Sequence, residues 1–461
     1  MLISTYLVSF CTLFINLFSG AGRTFYISPK GSDTNNGLHP STAWQSIGKI
    51  NQLSLKPGDK VLLEGGSTFK GIMKLDELDQ GEPSNKIRIG SYGKMKAIIE
   101  AGDGTGIYIY NAGGISITDI VVKGTGVATN RGNGIHFYAD KVSDKINGIE
   151  INHCEVTGFH GYGILIQSDK DTACGFSNVE IRKCKSSENG EAGIASLAVY
   201  PSVAHHNFLL SKCVAFNNRG ILSKTDNHSG NGIVLSGVTN FLIDSCEAYE
   251  NGADCRSEGG GPVGIWIWNA RSGKIQHSFS HNNHSGTSIH DGGGFDIDGG
   301  SSDCIIRNCI SSDNEGAGYL LCEFGSPLPY TNNKIENNTS KNDGLKNNYG
   351  AITISGAGKD YPVTNCIIQN NVIIVENRNT VDGIPAALYF NGSDFRSMTI
   401  RQNSFDARNG SRMLYIDTLF SKDQVVFRKN KFPAAQKEFT MFCNKCISAD
   451  TIYWKQRLQT K

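Results

Sequence analysis

One stretch of the chain concentrates acidic groups at a spacing that chemistry can use. It reads Asp291-Gly-Gly-Gly-Phe-Asp296-Ile-Asp298-Gly-Gly. Asp is disfavoured in strands, and on a strand Asp296 and Asp298, at i and i+2, face the same way. Their Cα atoms would lie ~6.6 Å apart at ~3.3 Å per residue, so one charge raises the pKa of the other. Such a pair supplies an acid and a base from one residue type, which cleavage of a glycosidic bond needs. Carboxyl separations of ~5 Å for retention and ~6.5–9.5 Å for inversion are both within reach of side-chain rotation, so spacing leaves the stereochemistry open. Asp291, at the preceding Gly-rich turn, can reach the same space. Upstream, Gly264-Ile-Trp-Ile-Trp268 sets Trp266 and Trp268 on one face. Exposed indoles are costly unless something covers them, and sugar rings stack on such platforms through their C–H faces. The bland alternatives are a solvated surface or calcium site for the Asp pair, and packing under a long loop for the Trp pair.

Other candidates surround this stretch. His290 abuts Asp291 and opens the Asp strand. Glu323 follows the next strand and is the best extra carboxylate, although alternation slips at Leu320-Leu321 and leaves its facing open. Segments 198–206, 223–231, 253–262 and 287–291 lengthen the turns before the strands. They and their surroundings carry His205, His206, Asp226, His228, Arg256, Glu258, His281 and His284. Loops on a rigid scaffold are where specificity usually resides, but any one of these His is more often an ordinary surface residue than a catalyst.

The elements that must position these groups are set by repetition. An apolar-x-x-Cys/Asn phrase recurs as Ile151-Asn-His-Cys154, Ile181-Arg-Lys-Cys184, Leu210-Ser-Lys-Cys213 and Ile243-Asp-Ser-Cys246, and later as Ile335-Glu-Asn-Asn338, Ile368-Gln-Asn-Asn371 and Ile400-Arg-Gln-Asn403. Including the copies at Ser278, Cys309 and Asn430, successive steps are 27 to 33 residues. A second phrase, Gly-apolar-x-apolar, alternates with it, as at Gly134-Ile-His-Phe, Gly163-Ile-Leu-Ile, Gly232-Ile-Val-Leu and Gly294-Phe-Asp-Ile. Both alternate with period two and read as short strands between turns. Such a unit cannot bury its apolar face alone, so the repeats must stack into a solenoid. No helical period exists inside a repeat, and the same residue type recurs at the same bend. Together these predict an all-β, right-handed parallel β-helix of about 10–12 coils, with Asn stacked on Asn between layers ~4.8 Å apart. On its strands the outward pairs are His136/Tyr138, Leu165/Gln167, Val234/Ser236, Trp266/Trp268, Asp296/Asp298 and Leu320/Cys322.

Composition agrees. Among 461 residues there are 54 Gly, 41 Asn and only 11 Pro, which fits many tight turns. Lys+Arg is 44 against Asp+Glu 43, so there is no basic footprint for nucleic acid. Residues 2 to 18 are largely apolar and uncharged, followed by Ser19, Gly20 and Ala21. This reads as a signal peptide over 1–21 and a secreted, extracellular or periplasmic protein, with no membrane association after its removal. Of 13 Cys, five recur at one place in the repeat and behave as small core hydrophobes. Cys443-x-x-Cys446 lacks a second pair or His cluster and reads as a local disulfide or two plain thiols.

The segment ahead of the coils runs Phe25-Tyr-Ile-Ser-Pro-Lys-Gly-Ser-Asp-Thr-Asn-Asn-Gly, then Trp44-Gln-Ser-Ile and Lys56-Pro-Gly-Asp-Lys-Val-Leu-Leu. It reads as strand, turn, short helix, turn and strand, closing the end of the solenoid within a cap-and-first-coils region 22–105. The main helix covers 106–430 and a C-terminal cap 431–461. This segment resembles the start of many secreted right-handed parallel β-helix proteins of the pectate-lyase-like superfamily. The resemblance implies a carbohydrate-active protein, a polysaccharide lyase or a glycoside hydrolase, with its site on the outer face of a parallel sheet. The chain has no Arg-x-Pro-x-x-Arg, and the polygalacturonase set of Asn-Thr-Asp, Asp-Asp, Gly-His-Gly and Arg-Ile-Lys is missing as a set. The leading expectation is a glycoside hydrolase acting on a polysaccharide or oligosaccharide. Asp296 and Asp298 would be the acid/base pair with Asp291 in support; Trp266, Trp268, His290 and Glu323 would bind substrate, and no metal or cofactor would be required. A lyase, with calcium bound by the carboxylates, and a non-catalytic carbohydrate-binding solenoid are the alternatives.

Overall fold

Alternating Ile, Val, Leu and Phe on one side of each short strand form a single continuous core, in which Ile135, Ile164, Ile194, Ile233 and Ile265 are fully buried. Stacked layers bury these faces, and the result is a parallel β-solenoid of about 11 turns. The structure is a computed structural model that describes residues 22–141, 145–170, 172–378, 383–417, 420 and 424–432, and the backbone of 441–443. The signal-peptide segment and Cys446 lie outside the described residues. Among the described residues the strands of successive coils pair in parallel, for example Ile135↔Ile164, Ile164↔Ile194 and Ile233↔Ile265, with one register shift between Glu100 and Gly102. The strands form a 26-stranded sheet, bent between two faces, a 12-stranded sheet and a two-stranded one of Val363–Thr364 and Phe395–Arg396. Asn231–Asp244 shows the bend: its first half pairs with Ala192–Ala198 and its second with His205–Ser211.

The bends are held by side-chain ladders. Asn189, Asn218, Asn251, Asn283 and Asn314 are buried, and each offers both its backbone N–H and its Nδ2 to the Oδ1 of the next layer, at 2.7 to 3.3 Å. The last acceptor is Asp343. A second ladder runs Asn338, Asn371, Asn403 and Asn430. In earlier coils that position is taken by Cys154, Cys184, Cys213 and Cys246, whose thiols donate to backbone carbonyls, as from Cys213 to Ile181 O at 3.4 Å. The ten described cysteines are all free thiols, in keeping with their reading as core groups. The residue before each ladder position is left-handed whatever its type: Lys183, Lys212 and His277 have φ of 51°, 54° and 50°. Asn and Gly are enriched because such turns recur, but a satisfied ladder also holds Lys and His in that conformation.

At the N-terminal end, Thr24–Ile27 pairs in parallel with Lys60–Glu64. The intervening segment forms two short 3-10 turns, Pro40–Thr42 and Ile47–Gln52, and the Trp44 ring stacks on Phe25 at 5.2 Å.

Candidate active site

The outward residues of the face that contains Gly293–Ile297 form two rows. The register Leu165↔Ala195↔Val234↔Trp266↔Asp296↔Leu320↔Thr353 gives the first. The second contains Gln167↔Leu197 and Ser236↔Trp268, and continues through Asp298 to Cys322↔Ser355 and Asn391. Asp298 lies one residue beyond its strand, and its amide donates to Ile267 O at 2.8 Å, which keeps it in register. Above the rows is a cavity of about 620 Å³, a size suited to a small oligosaccharide. Its walls come from the lengthened turns: Lys224, Asn227, His228 and Asn231 from one, Gly259 and Gly260 from another, His290 and Asp291 from a third.

Three carboxyl groups line this cavity: Glu191, which Lys224 holds at 2.8 Å, and Asp298 and Asp291, which pair with no cation among the lining residues. Asp298 Oδ1 accepts from the Gly299 amide at 2.8 Å, and the Cys322 thiol donates to the same carboxylate. Burial, reinforced by the charges of Asp291 and Glu323, pushes the Asp298 carboxyl up to about 7. Asp291 has φ +47° at the tip of its turn. Its Oδ1 accepts from the Tyr349 hydroxyl at 3.0 Å and its Oδ2 from the Gly261 amide at 2.9 Å, while its own amide donates to the Tyr349 oxygen. Burial raises the Asp291 carboxyl too, and the Tyr349 and Gly261 donors oppose that rise.

Asp296 is placed differently from the sequence expectation. It faces outward in its row, but it is only 3% exposed and does not line the cavity. Its row neighbours Trp266 and Leu320, both 5% exposed, cover it. Its Oδ1 has no hydrogen-bond partner among the described residues. Burial, and then the neighbouring Asp298 and Asp291 charges, drive its pKa well above the usual carboxylate range. The carboxyl groups that meet at the cavity without a cation are therefore Asp291 and Asp298.

The indoles also differ from an open platform. Trp266 packs with Leu165, Ala195 and Val234 in a small apolar cluster, and its N–H donates to Asn231 Oδ1 at 3.0 Å. The His228 ring meets it edge-on at 5.4 Å, and burial pushes that imidazole down to about 4, so it is neutral. Trp268 is half-buried against Tyr200, centroids 5.5 Å apart, and Tyr200 lies 6.4 Å from Phe324. His290 lines the cavity as expected. Glu323 does not: it is 2% exposed, and its carboxylate accepts from the amides of Gly325 and Ser326 at 2.6 Å and of Gly300 at 3.3 Å. Glu323 thus caps a turn and does not line the cavity. His205 is a core histidine, bonded to Leu197 O and to the Phe176 amide, and burial lowers it to about 4. His284 pairs with Glu315 at 3.0 Å, and His206, Asp226, Arg256, Glu258 and His281 do not line the cavity.

Several lining residues carried no sequence signal. Tyr349 arrives from a coil 58 residues after Asp291. Glu191 and Lys224 pair at 2.8 Å across neighbouring coils, and Phe324 stands on an irregular loop, as does Tyr200, which packs on Trp268 from outside the lining. The repeat period locates none of them, because turns do not follow it.

No family model matches the chain. A 78-residue stretch, 16% of this chain, is 36% identical to a lacto-N-biosidase of Bifidobacterium longum subsp. longum; that stretch spans 5% of the relative's length. In structure, the chain is similar to a GH136 lacto-N-biosidase from Eubacterium ramulus, with TM-score 0.59 and 16% identity over 89% of this chain and 68% of that one. It is also similar to the A-module of a mannuronan C-5 epimerase from Azotobacter vinelandii, with TM-score 0.57 and 14% identity over 82% of this chain and 91% of that one. At these identities the structural likeness is one of fold, and both relatives are parallel β-helix proteins whose names denote carbohydrate enzymes.

Proposed function

We propose that this protein is a glycoside hydrolase acting on a neutral oligosaccharide or polysaccharide, with Asp298 and Asp291 as its working carboxyl groups. The observation that carries the reading is their convergence, from a strand end and a separate turn, on one cavity, with Asp298 titrating near 7. At neutral pH Asp298 retains a substantial protonated fraction and can pass its proton to the glycosidic oxygen as the C–O bond breaks. Asp291, fixed by Tyr349 and Gly261, presents a carboxylate to the positive charge that develops at the anomeric carbon. Water completes the reaction: its oxygen bonds to that carbon and keeps one proton as the new anomeric hydroxyl, its other proton restores Asp298, and the proton Asp298 gave leaves on the departing sugar.

Charge supports a neutral substrate over a uronate. The only Lys or Arg among the lining residues is Lys224, and Glu191 already holds it at 2.8 Å. A uronate carboxylate would face Asp291 and Asp298 with no free Lys or Arg among the lining residues, which disfavours the lyase and epimerase chemistries. The short match to a lacto-N-biosidase makes lacto-N-biosides the first substrates to try. The test is to incubate purified protein with a panel of neutral and uronate glycans, with and without a chelator. Release of reducing ends without a rise in the unsaturated-uronate absorbance is expected, unchanged by chelation. A rise in that absorbance would replace this reading with a lyase, and loss on chelation would bring in calcium.

A further inference from the structure

Apolar residues at the mouth of the cavity are left open to solvent. Val199 is 45% exposed, Tyr200 37%, Phe324 50% and Tyr361 40%. They come from three separate segments, and Tyr200 packs against Trp268 and Phe324, two residues that line the cavity. Tyr200 lies 5.5 Å from Trp268 at 37° and 6.4 Å from Phe324 at 43°, and the Tyr361 ring reaches to within 3.8 Å of the Cβ position of Gly325. A patch of this kind at the edge of a site marks a surface that a ligand covers.

The wall is built with support. Glu323 accepts from Gly300, Gly325 and Ser326, tying the Phe324 turn to the chain just after Asp298. The Tyr200 hydroxyl donates to Ser326 Oγ at 2.9 Å, and Asn269 Nδ2 donates to Ser202 O at 2.8 Å, fixing the Tyr200 loop to both neighbours. Phe324 lies directly on Gly299: a Cβ there would stand 2.3 Å from its ring. Gly299 follows Asp298, so the exposed ring is placed one residue from the acid. The opposite end of the cavity is polar and walled, with the Glu191–Lys224 pair, Asn231 and His228.

We propose that Tyr200, Trp268 and Phe324 form a leaving-group subsite that stacks the apolar face of a ring attached just beyond the scissile bond. The polar end then holds the sugar that keeps its anomeric carbon. This rests on the hydrolase reading for its orientation, but the wall's preference for a ring is a binding property of its own. A sugar ring and an aryl group share the required flat apolar face, and the substrates below separate them.

The experiment has two arms. In the first, kcat/KM is measured for three lacto-N-biosides that differ only in leaving group: fluoride, p-nitrophenol and a further sugar. The expected result is that Tyr200→Ala/Phe324→Ala lowers the ratio of kcat/KM for the sugar leaving group over fluoride at least tenfold, mainly through KM. An equal fall for all three, or no fall, overturns the subsite. A fall confined to p-nitrophenol overturns the sugar as its occupant. In the second arm, binding of phenyl and methyl lacto-N-bioside to Asp298→Asn protein is followed by tryptophan fluorescence. Tighter binding of the phenyl compound, lost in the Tyr200→Ala/Phe324→Ala background, supports the subsite even if the parent protein hydrolyses neither. Equal binding, or none, overturns it even if hydrolysis is found. Glu323→Gln provides a check on positioning, with KM for the sugar leaving group expected to rise while KM for the fluoride stays close to the parent value.

Discussion

Asp343 and Asp296 are both buried acids on the same solenoid, and the protein treats them in opposite ways. Asp343 ends the Asn ladder, 0% exposed, and its carboxyl accepts from the Asn314 amide and Nδ2 and from Ser340 Oγ, at 2.5 to 3.1 Å. Asp296, 3% exposed, has an oxygen with no partner among the described residues and lies below a second acid that opens on a cavity. Burial raises both, Asp343 to about 7 and Asp296 well beyond the usual range. At the end of the ladder the solenoid satisfies the buried carboxyl of Asp343. In the outer row next to the cavity it leaves an oxygen of Asp296 without a partner among the described residues, a group that calls for an explanation beyond folding.

The largest effect is expected at the cavity. Asp298→Asn and Asp291→Asn should each lower turnover by about a hundred- to ten-thousandfold, as loss of a positioned acid or base does, with circular dichroism unchanged. In the parent protein the acid must be protonated, so activity should fall as pH rises through about 7, the value to which Asp298 is pushed. The alkaline limb of the kcat profile, measured on a neutral glycan, checks this.

The ladder should show a loss of stability instead of activity. Asn251→Ala removes an acceptor from Asn218 and a donor to Asn283. Each buried group left unpaired costs about 1–3 kcal/mol, so a clear drop in the urea midpoint is expected with little change in KM. Asp343→Asn runs the other way. The folded carboxyl is raised above its unfolded value near 3.8, so stability is lost as pH rises from that value through about 7. Asn at this place can donate to Ser340, as Asn314 donates to Ser311. The variant should be more stable than the parent at pH 8, on the order of 1–2 kcal/mol after allowance for relaxation, with the gap closing towards pH 4. Thermal melts at the two pH values decide it. The smallest effect is expected from reductant: with all ten described cysteines free, dithiothreitol should leave the melting temperature of the coils unchanged.

Much of the fold was legible because a solenoid writes the same sentence in every coil. Cys184, Cys213 and Asn371 announce the bend, and Ile135, Ile164 and Ile194 announce the core. Strand alternation also gave the facing of Asp296 and Asp298 correctly. It could not tell that Trp266 and Leu320 bury Asp296 while Asp298 opens on the cavity, because that depends on side chains one coil away and on the loops above them. Asp291, read as a supporting group, moves to the front for the same reason. Glu323 stood at the slip in alternation, and the chain uses it to cap a turn. Tyr349, Tyr200 and Phe324 come from segments without a period and left no pattern to read.

Hydrolysis through Asp298 and Asp291, as proposed, places the oxygen of water on the new reducing end. The reaction is run in H₂¹⁸O on the panel glycan with the highest turnover and the products are weighed by mass spectrometry. One ¹⁸O at the new reducing end per bond broken, absent with Asp298→Asn, is the predicted result. An unsaturated product without ¹⁸O, or full turnover by the Asp298→Asn protein, would contradict the account.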